Sequence, residues 1–475
     1  MSRTIKTDIC VIGAGSGGLS VAAGAAQLGA STVLIEKARM GGDCLNTGCV
    51  PSKALLAAAK AAQTMRTSGK FGVSASGFSV DFAKAMDHVQ GVIAAIAPND
   101  SVERFTGLGC TVIQAEARFI SPAEVEAGGD IIQARRFVIA TGSRAAIPPI
   151  EGLDQTPYLT NESIFENRTC PDHLIILGAG PIGMEMGQAH RRLGARVTII
   201  EMARALTRDD PELAGVAIKA LHDEGVAIVE NTELVSVARE ENGAISVLAR
   251  NKTGEQRIIG SHLLAAAGRI PNIEGLNLEA ANIVFDRKGI KINAGLRTTN
   301  RRVYAIGDVT GGLQFTHVAG HQAGLVIRSA LFRAPAKFDP RYVPRVTYTD
   351  PEVAQVGMTE ADALSARISH RVLRWHFSEN DRAQAERRTE GLAKVIIGKG
   401  GFILGAGLAG ANAGELLQPW ILAMTRKQKI GAMTGLIAPY PTLGEINKRI
   451  AGSYYTPSLF SRPTRMIVSL LRKFG

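Results

Sequence analysis

Residues 7–37 read TDICVIGAGSGGLSVAAGAAQLGASTVLIEK, and residues 173–202 read HLIILGAGPIGMEMGQAHRRLGARVTIIEM. Each stretch contains an apolar run, a G-x-G-x-x-G turn, a helical segment with Leu-Gly-Ala at its end, and a β-branched run that closes on glutamate. In both copies the glutamate follows the first glycine by 23 residues. One glycine-rich turn is weak evidence, but two copies with matching strands, helices and acids predict two dinucleotide-binding units.

The spacing of the glycines has a physical reason. The first permits a tight turn, the second lets the backbone approach a pyrophosphate, and the third lets helix pack on strand. The phosphate then meets the helix N-terminus. The predicted cofactor-binding glycines are Gly13, Gly15 and Gly18 in the first copy and Gly178, Gly180 and Gly183 in the second.

Glu36 and Glu201 close the two copies. An acid at this position accepts a hydrogen bond from a ribose 2′-hydroxyl, and its charge repels a 2′-phosphate. Glu201 therefore predicts a preference of the second site for NADH over NADPH, which Arg204, three residues further on, weakens.

Two later apolar runs have the form of return strands for these units. RFVIATGSR (136–144) and LLAAAGRIPN (263–272) end at Thr-Gly and Ala-Gly before an arginine. We therefore add Thr141, Gly142 and Gly268 to the candidate cofactor-binding residues. From about Arg345 short strands mix with helices. The sequence predicts an α/β fold with two Rossmann-like dinucleotide-binding domains, followed by an α+β domain.

Composition narrows the class of protein. The chain of 475 residues has five cysteines, and those outside one close pair lie far apart, which argues for a reducing compartment such as the cytoplasm. The N-terminus runs directly into the first strand, so we expect no signal sequence. The net charge is +11, but only 5% of residues are aromatic and no basic run with interleaved aromatics occurs, so we expect no nucleic-acid partner.

The close pair lies in GGDCLNTGCVPSK, residues 41–53. A regular helix would rise about 7.5 Å between Cys44 and Cys49, more than the about 7 Å that a disulfide tolerates between α-carbons, so the chain between them must be distorted. Pro51 is expected to start the next helix. Cys49 would then lie near a helix N-terminus, where the helix dipole and Lys53 stabilise a thiolate.

Three kinds of site could use these cysteines. A permanent metal site needs further ligands, and the nearest histidine is His88. A structural bridge over so short a loop would add little stability. A redox-active pair remains the favoured interpretation.

Residues 41–53, following an N-terminal G-x-G-x-x-G domain, resemble the active site of the flavoprotein disulfide reductases, which include dihydrolipoamide dehydrogenase, glutathione reductase and mercuric reductase. The resemblance implies FAD in the first nucleotide site and a nicotinamide cofactor in the second. It implies that Cys49 is the flavin-proximal sulfur and that Cys44 attacks the substrate. Lys53 would lie near flavin N5 and pair with Glu185, and Asp308 would bind the ribityl chain.

The same resemblance implies a homodimer whose active sites are completed across the interface. The implied domains are FAD-binding over 1–150 and 273–343, NAD(P)-binding over 151–272 and dimerisation over 344–455, with a basic amphipathic tail over 456–475.

The C-terminal stretch APYPTLGEINKR (438–449) departs from part of that family. Lipoamide and glutathione reductases carry a histidine where this chain has Tyr440, with Glu445 at the position of its partner. A phenol with a pKa near 10 cannot cycle protons at neutral pH as an imidazole near 6.5 can. Mercuric reductases also place a tyrosine there, although their C-terminal cysteine pair is missing from this sequence.

We therefore expect an FAD-dependent NADH oxidoreductase, similar to mercuric reductase, that passes electrons to a small acceptor such as a soft metal ion or a disulfide. The alternatives are a dihydrolipoamide dehydrogenase-like component of a larger complex and a membrane-docked NADH:quinone or electron-carrier flavoprotein.

Three further features have simpler explanations. His317 and His321 stand four apart, and Met184 and Met186 flank Glu185, but we expect all four to pack and expect no metal site. The tail over 462–475 has apolar residues at helical spacing together with basic ones and no acid. This pattern is typical of a helix on an anionic membrane surface or of one docked on protein.

Overall fold

A computed structural model describes residues 3–474 of the chain. The chain divides into two compact units. The first comprises Met1–Gly178, Ala189–Ile200 and Thr232–Pro340, and the second comprises Ala179–Gln188, Glu201–Asn231 and Arg341–Gly475.

Strands and helices are numbered in chain order. The strands are β1 Thr4–Ile12, β2 Thr32–Glu36, β3 Cys110–Gln114, β4 Ala117–Ser121, β5 Glu124–Ala127, β6 Asp130–Ile139, β7 Ser143–Ala145, β8 His173–Leu177, β9 Arg196–Ile200, β10 Ala227–Val229, β11 Glu233–Arg239, β12 Ile245–Asn251, β13 Gly254–Gly260, β14 His262–Ala265, β15 Arg269–Pro271, β16 Phe285–Asp286, β17 Gly289–Ile290, β18 Val303–Ala305, β19 Arg345–Thr347, β20 Glu352–Gly357, β21 His370–His376, β22 Leu392–Gly398 and β23 Ile403–Gly410. The helices are α1 Ser16–Gln27, α2 Gly42–Asn46, α3 Cys49–Thr67, α4 Phe82–Ile96, α5 Val102–Gly107, α6 Pro181–Arg192, α7 Pro211–Asp223, α8 Thr316–Ala330, α9 Glu360–Ser365, α10 Asp381–Ala385, α11 Ala413–Leu416, α12 Gln418–Thr425, α13 Gly431–Thr434, α14 Glu445–Ser453, α15 Thr456–Leu459 and α16 Arg462–Leu471.

The first glycine-rich stretch forms the predicted strand, turn, helix and strand. β1 lies between β2 and β6, and the three strands run parallel. The predicted return strand is β6, which places Ile139 beside Ile12 at the carboxyl end of β1. Ile9 to Ile12 are all buried, as expected for a parallel strand covered on both faces.

The second stretch repeats this arrangement. β8 lies parallel between β9 and the predicted return strand β14. An antiparallel sheet of β11, β12 and β13, which the sequence pattern did not reveal, precedes β14. Its buried residues, such as Val247, share a core with Ile175 of β8.

The C-terminal part of the second unit is built on an antiparallel sheet in the order β19-β20-β23-β22-β21. It begins at Arg345, where the sequence predicts the change to an α+β domain. Trp420 lies fully buried in its core, and the indole Nε1 donates a hydrogen bond to Asn447 Oδ1 at 2.7 Å. The predicted fold class is confirmed, while the boundaries of the individual domains stay predictions.

One predicted helix start is wrong. α3 begins at Cys49, two residues before Pro51. The first hydrogen bond of this helix runs from Ser52 N–H to Gly48 C=O at 3.1 Å. Proline is accommodated in this first turn because the N–H that it lacks would have no partner within the helix.

The tail forms α16, capped by Ser461, whose hydroxyl accepts a hydrogen bond from Thr464 N–H. Its apolar side chains are exposed, among them Ile467 and Leu471. Across residues 3–474, none of the helices combines the length and the apolar character that crossing a bilayer requires.

Candidate active site

The cysteine pair lies at a break between two helices of the first unit. α2 ends at Asn46 and α3 begins at Cys49, with Thr47 and Gly48 between them. Gly48 has φ −128° and ψ −108°, outside the helical region. The distortion predicted from the spacing of the two cysteines is therefore present.

Both cysteines are thiols in this structure. The Cys44 thiol is half-buried and hydrogen bonds to the sulfur of Cys49. Cys49 Sγ also lies 3.2 Å from Thr316 Oγ1, the first residue of α8. Thr316 was not among the residues predicted from the sequence.

These contacts shift the pKa values of the two thiols in opposite directions. The hydrogen bond from Cys44 is the largest cause that lowers the pKa of Cys49 to about 6 from its usual 9.0, and Thr316 and the charge of Lys53 act in the same direction. The same hydrogen bond, together with burial, raises the pKa of Cys44. A dithiol of this kind holds its thiolate on Cys49 and its proton on Cys44 at neutral pH.

A polar chain links the cysteine loop, residues 41–49, to Asp308. Ser143 Oγ donates to Asp308 Oδ2 at 2.6 Å and accepts from Arg269 Nε at 2.7 Å. Arg269 Nη2 lies 3.2 Å from Oδ1 of Asp43, the residue before Cys44. Burial raises the pKa of Asp308, and the charge of Arg269 opposes that rise. Arg269 was not singled out from the sequence, although it directly follows Gly268.

The two glycine-rich turns have nearly the same geometry. Gly13 and Gly178 have φ of +101° and +102°, and a Cβ there would meet the carbonyl oxygens of Ala140 and Ala266 at 2.5 and 2.6 Å. Space beside Gly15 and Gly180 is open within 4 Å. These are the tight turn and the open backbone that a pyrophosphate requires.

The third glycine of the first turn and the cysteine loop both pack directly against this turn. A Cβ at Gly18 would collide with the carbonyl oxygen of Gly13, and one at Gly42 would lie 2.7 Å from Gly15 Cα. The cysteine loop therefore touches the first nucleotide turn backbone to backbone. Gly183 lies in the corresponding first turn of α6.

Glu36 and Glu201 are held in the same way. Glu36 accepts hydrogen bonds from the N–H groups of Ala14 at 2.6 Å and Ala38 at 2.8 Å. Glu201 accepts them from Ala179 at 2.8 Å and Ala203 at 2.9 Å. Each carboxylate is thus fixed beside its glycine turn, and carboxylate oxygens have further lone pairs that can accept from a ribose hydroxyl. Together with the glycine turns and Asp308, these residues fit two dinucleotides.

The remaining predicted catalytic residues lie in the second unit. Glu185 is buried on α6 and accepts a hydrogen bond from Tyr348 N–H at 2.9 Å. Tyr440 is 68% exposed and donates to Asp381 Oδ2 at 3.0 Å, which raises the pKa of the phenol. Glu445 is the first residue of α14, 3.8 Å from Arg449 Nη2.

The two histidines and two methionines all make packing contacts. The ring of His317 stacks on Phe315 with centroids 5.1 Å apart, and His321 lies 6.1 Å from Phe338. Met184 and Met186 are buried. Within residues 3–474, no group of three or more His, Cys, Asp or Glu side chains is placed to hold a metal ion.

Comparison with known proteins agrees with this geometry. Residues 7–323 match the pyridine nucleotide-disulphide oxidoreductase family, and residues 343–450 match the dimerisation domain of that family. The chain therefore belongs to the pyridine nucleotide-disulphide oxidoreductases, a class of FAD-dependent enzymes that use NAD(P)H. The dimerisation domain indicates a homodimer.

Individual relatives cover almost the whole chain. The sequence is 33% identical over 455 residues to a mercuric reductase of Streptomyces lividans, which covers 94% of this chain and 96% of the relative. It is 35% identical over 451 residues to a dihydrolipoyl dehydrogenase of Thermus scotoductus, at 92% and 95% coverage. The Cu(II) complex of the HOCl-induced flavoprotein disulfide reductase RclA from Escherichia coli has a TM-score of 0.84 at 27% identity and covers 94% of this chain and 99% of its own.

Proposed function

We propose that the enzyme oxidises NADH and passes two electrons through FAD to Cys44 and Cys49, which then reduce a soft metal ion or a small disulfide. The observation that carries this proposal is the placement of two unbridged cysteines at the break between α2 and α3, next to the first nucleotide turn and with Thr316 Oγ1 3.2 Å from Cys49 Sγ. In this setting the pKa of Cys49 is displaced downward and that of Cys44 upward. A thiolate held beside a protonated partner is the reduced form of a redox pair rather than of a structural bridge.

Each residue has a part in this reaction. The hydride of NADH would reach the disulfide by way of bound FAD. A hydride carries two electrons and one proton, so the disulfide becomes the Cys44 thiol and the Cys49 thiolate without a further proton from solvent. Thr316 and Lys53 hold the charge on Cys49, and Asp308, steadied through Ser143 and Arg269, orients the cofactor.

The raised pKa of Tyr440 favours a metal ion as the electron acceptor. A phenol whose pKa is raised above its usual value by Asp381 stays protonated at neutral pH, so it donates hydrogen bonds but does not cycle protons. Reduction of Hg²⁺ bound to two thiolates consumes two electrons and no proton. Thiolates prefer soft metal ions, and relatives include mercuric reductases and a reductase that binds Cu(II).

A screen of acceptors tests the proposal. NADH oxidation by the FAD-loaded enzyme would be measured with mercuric ion, Cu(II), lipoamide, glutathione disulfide and quinones. We expect turnover with the metal ions or glutathione disulfide to exceed lipoamide turnover and to disappear in Cys44→Ser. Strong lipoamide turnover would instead favour a component of a lipoyl complex, and turnover with quinones that survives Cys44→Ser would contradict the cysteine route.

We also propose that NADH is the preferred reductant. Glu201 is fixed by two backbone N–H groups beside the second glycine turn, so its charge cannot easily move away from a 2′-phosphate. Glu201→Ala should bring the kcat/KM values for NADH and NADPH closer together by about tenfold, the factor for 1.4 kcal/mol of lost discrimination. Glu241→Gln, on an exposed turn, is the control and should leave the ratio unchanged.

The tail supports a second proposal, that a cytoplasmic dimer rests weakly on an anionic membrane surface. In α16 and the residues after it, the exposed apolar side chains include Met466, Ile467, Leu470, Leu471 and Phe474, each at least 56% exposed. The accompanying charges are Arg462, Arg465, Arg472 and Lys473, with no acid. Exposed apolar groups with basic neighbours complement anionic lipid headgroups above acyl chains.

Vesicle co-sedimentation tests this contact. The full-length dimer should sediment with phosphatidylglycerol vesicles, bind less at higher salt, and lose binding when residues 462–475 are deleted. Leu470→Glu should weaken binding, whereas Leu364→Glu, an exposed leucine on α9, should not. Unchanged sedimentation after the deletion would show that the tail packs on protein instead.

A further inference from the structure

We propose that a cavity in the first unit binds a small phosphorylated metabolite, at a site built from residues outside both glycine-rich turns. The cavity has a volume of about 520 Å³. Its polar lining includes Arg136 of β6, Asn293, Arg297, Ser329 of α8 and Arg333.

The lining brings three positive charges together without a negative one. It contains Arg136, Arg297 and Arg333 and neither aspartate nor glutamate. Among the residues that the structure describes, no carboxylate forms an ion pair with any of these three guanidinium groups. Elsewhere in this unit, Arg144 is paired with Glu274. Like charges gathered in this way repel unless an anion lies between them.

Arg297 is held rigidly at the wall. Its Nε donates to Tyr304 Oη at 3.0 Å and its Nη2 to Ser329 Oγ at 3.3 Å. Its guanidinium carbon lies 5.3 Å from the centroid of the Tyr304 ring. These contacts fix the direction of the charge before any ligand binds, which reduces the entropy lost on binding.

Arg136 carries an unsatisfied donor. Its Nη1 donates to the carbonyl oxygen of Arg135 at 2.8 Å, but its Nε is buried and has no acceptor. A buried donor of a charged group without an acceptor is costly. An anion in the cavity would offset the charge that the protein leaves uncompensated there.

Asn293 adds an oriented donor. Its Oδ1 accepts hydrogen bonds from the N–H groups of Gly295 at 2.9 Å and Arg297 at 3.1 Å. The amide oxygen is thereby used within the loop, and the Nδ2 group, which only donates, is left for a ligand.

The chemistry of the lining selects the class of ligand. Guanidinium groups and an amide N–H₂ supply many donors, and a phosphate group supplies several acceptor oxygens that guanidinium can bind in a bidentate manner. Cavities of about 300–1,000 Å³ hold small organic ligands, so the space exceeds what a lone phosphate ion needs. A phosphate ester of a small metabolite satisfies both the charge and the volume.

Isothermal titration of the FAD-loaded enzyme tests this site, with ribose 5-phosphate and inorganic phosphate as probes. We expect ribose 5-phosphate to bind more tightly than phosphate, and phosphate to compete with it. Arg333→Gln, at an exposed position, and Arg136→Gln should each weaken binding about tenfold, the factor for one lost charge-assisted hydrogen bond. Arg239→Gln, on β11, is the matched control and should bind as the parent does.

Three results would overturn the proposal. The first is the absence of ribose 5-phosphate binding. The second is binding that Arg333→Gln and Arg136→Gln leave unchanged while flavin absorbance and circular dichroism confirm intact folding. Equal affinity for phosphate and ribose 5-phosphate would reduce the site to one for an adventitious ion and contradict a metabolite.

Discussion

Cys49 meets several groups that act on its ionisation in different ways. The thiol of Cys44 and the hydroxyl of Thr316 reach it by hydrogen bonds, while Lys53 acts through its charge. Asp43 opposes them, because a nearby negative charge disfavours the thiolate. Arg269, which lies against Asp43, partly neutralises that opposition. The reactivity of one sulfur therefore depends on residues from three separate parts of the chain.

Thr316→Val should raise the pKa of Cys49 from about 6 towards its ordinary value of 9.0, because a hydrogen bond to the thiolate is lost. The thiolate exists above the folded-state pKa, so less of it would be present at pH 7 in the variant. The pH dependence of iodoacetamide alkylation at Cys49 in the NADH-reduced enzyme measures this. Thr316→Ser keeps the hydroxyl and should titrate as the parent does, and an unchanged midpoint in Thr316→Val would refute the role of the hydroxyl.

Cys49→Ser should abolish the long-wavelength absorption that a thiolate beside a flavin gives to the NADH-reduced enzyme. Cys44→Ser should keep that absorption while turnover is lost, because Cys44 is assigned the attack on the acceptor. Absorption spectra of both variants after NADH addition provide the measurement. A band that persists in Cys49→Ser would reverse the assignment of the two sulfurs.

Among individual residues, the sequence predicted those that belong to local motifs. The cysteine pair, Lys53 and the two closing glutamates all follow from spacing within about 30 residues of chain. Thr316 could not be found in this way, because it is 267 residues from Cys49 and a lone threonine carries no signal. Arg269 could not be predicted for the same reason, because its partners Ser143 and Asp43 lie in distant segments of the chain.

Among the elements, α7, α9, β21 and β22 of the second unit are joined by a charged cluster. Lys394 Nζ, with its side chain only 4% exposed, lies 2.9 Å from Asp210 Oδ2 and 2.7 Å from Glu212 Oε1. It also lies 2.7 Å from Glu360 Oε2, and Arg374 bridges Glu212 and Glu360. The hydrogen bond from Arg374 is the main cause that lowers the pKa of Glu212 to about 2.

Lys394→Met should destabilise the second unit by about 3–5 kcal/mol, because Asp210 would stay buried without its cation. The midpoint of guanidinium unfolding, followed by circular dichroism, measures the loss. Lys219→Met is the matched control, since it removes an exposed pair with Asp223 on α7 and should cost less than about 1 kcal/mol. Equal effects of the two variants would contradict a special role of the buried lysine.

The same cluster predicts that the stability of the second unit falls at acidic pH. The folded-state pKa of Glu212 lies below its ordinary value of 4.5, so its contribution to stability is present above about pH 4.5 and is lost as the pH falls towards 2. Arg374→Gln should therefore lower stability at neutral pH and differ less from the parent at acidic pH. Unfolding midpoints across this range test it, and a difference that grows on acidification would have the wrong sign.

The elements themselves were predictable where a motif sets them. The two repeats predicted strands, helices and return strands because apolar runs and glycine turns have fixed spacing. The start of α3 was placed two residues late, since Pro51 can occupy the third helical position as well as the first. The antiparallel sheet of β11 to β13 was missed, because its alternation of residues such as Val247 and Leu248 is interrupted and no fixed motif marks it.

At the scale of the whole molecule, the dimerisation domain indicates that the enzyme consists of two identical chains. A symmetric dimer repeats each contact twice, so a site shared between chains occurs in two equal copies. If cysteines of one chain work with Tyr440 of the other, a hybrid of Cys44→Ser and Tyr440→Phe subunits has one intact site and one with both changes. Co-expressed, differently tagged subunits should then recover activity that neither homodimer shows. A hybrid no more active than the homodimers would place each site within one chain.

The direct contact of Gly42 with Gly15 limits how this enzyme can evolve. No side chain lies between these two backbone segments. The distance between the cysteine loop and the nucleotide turn therefore cannot be changed by exchanging one side chain for another. A single methyl group at position 42 would force the cysteine loop and the nucleotide turn apart. Position 42 therefore accepts only glycine while this contact is kept.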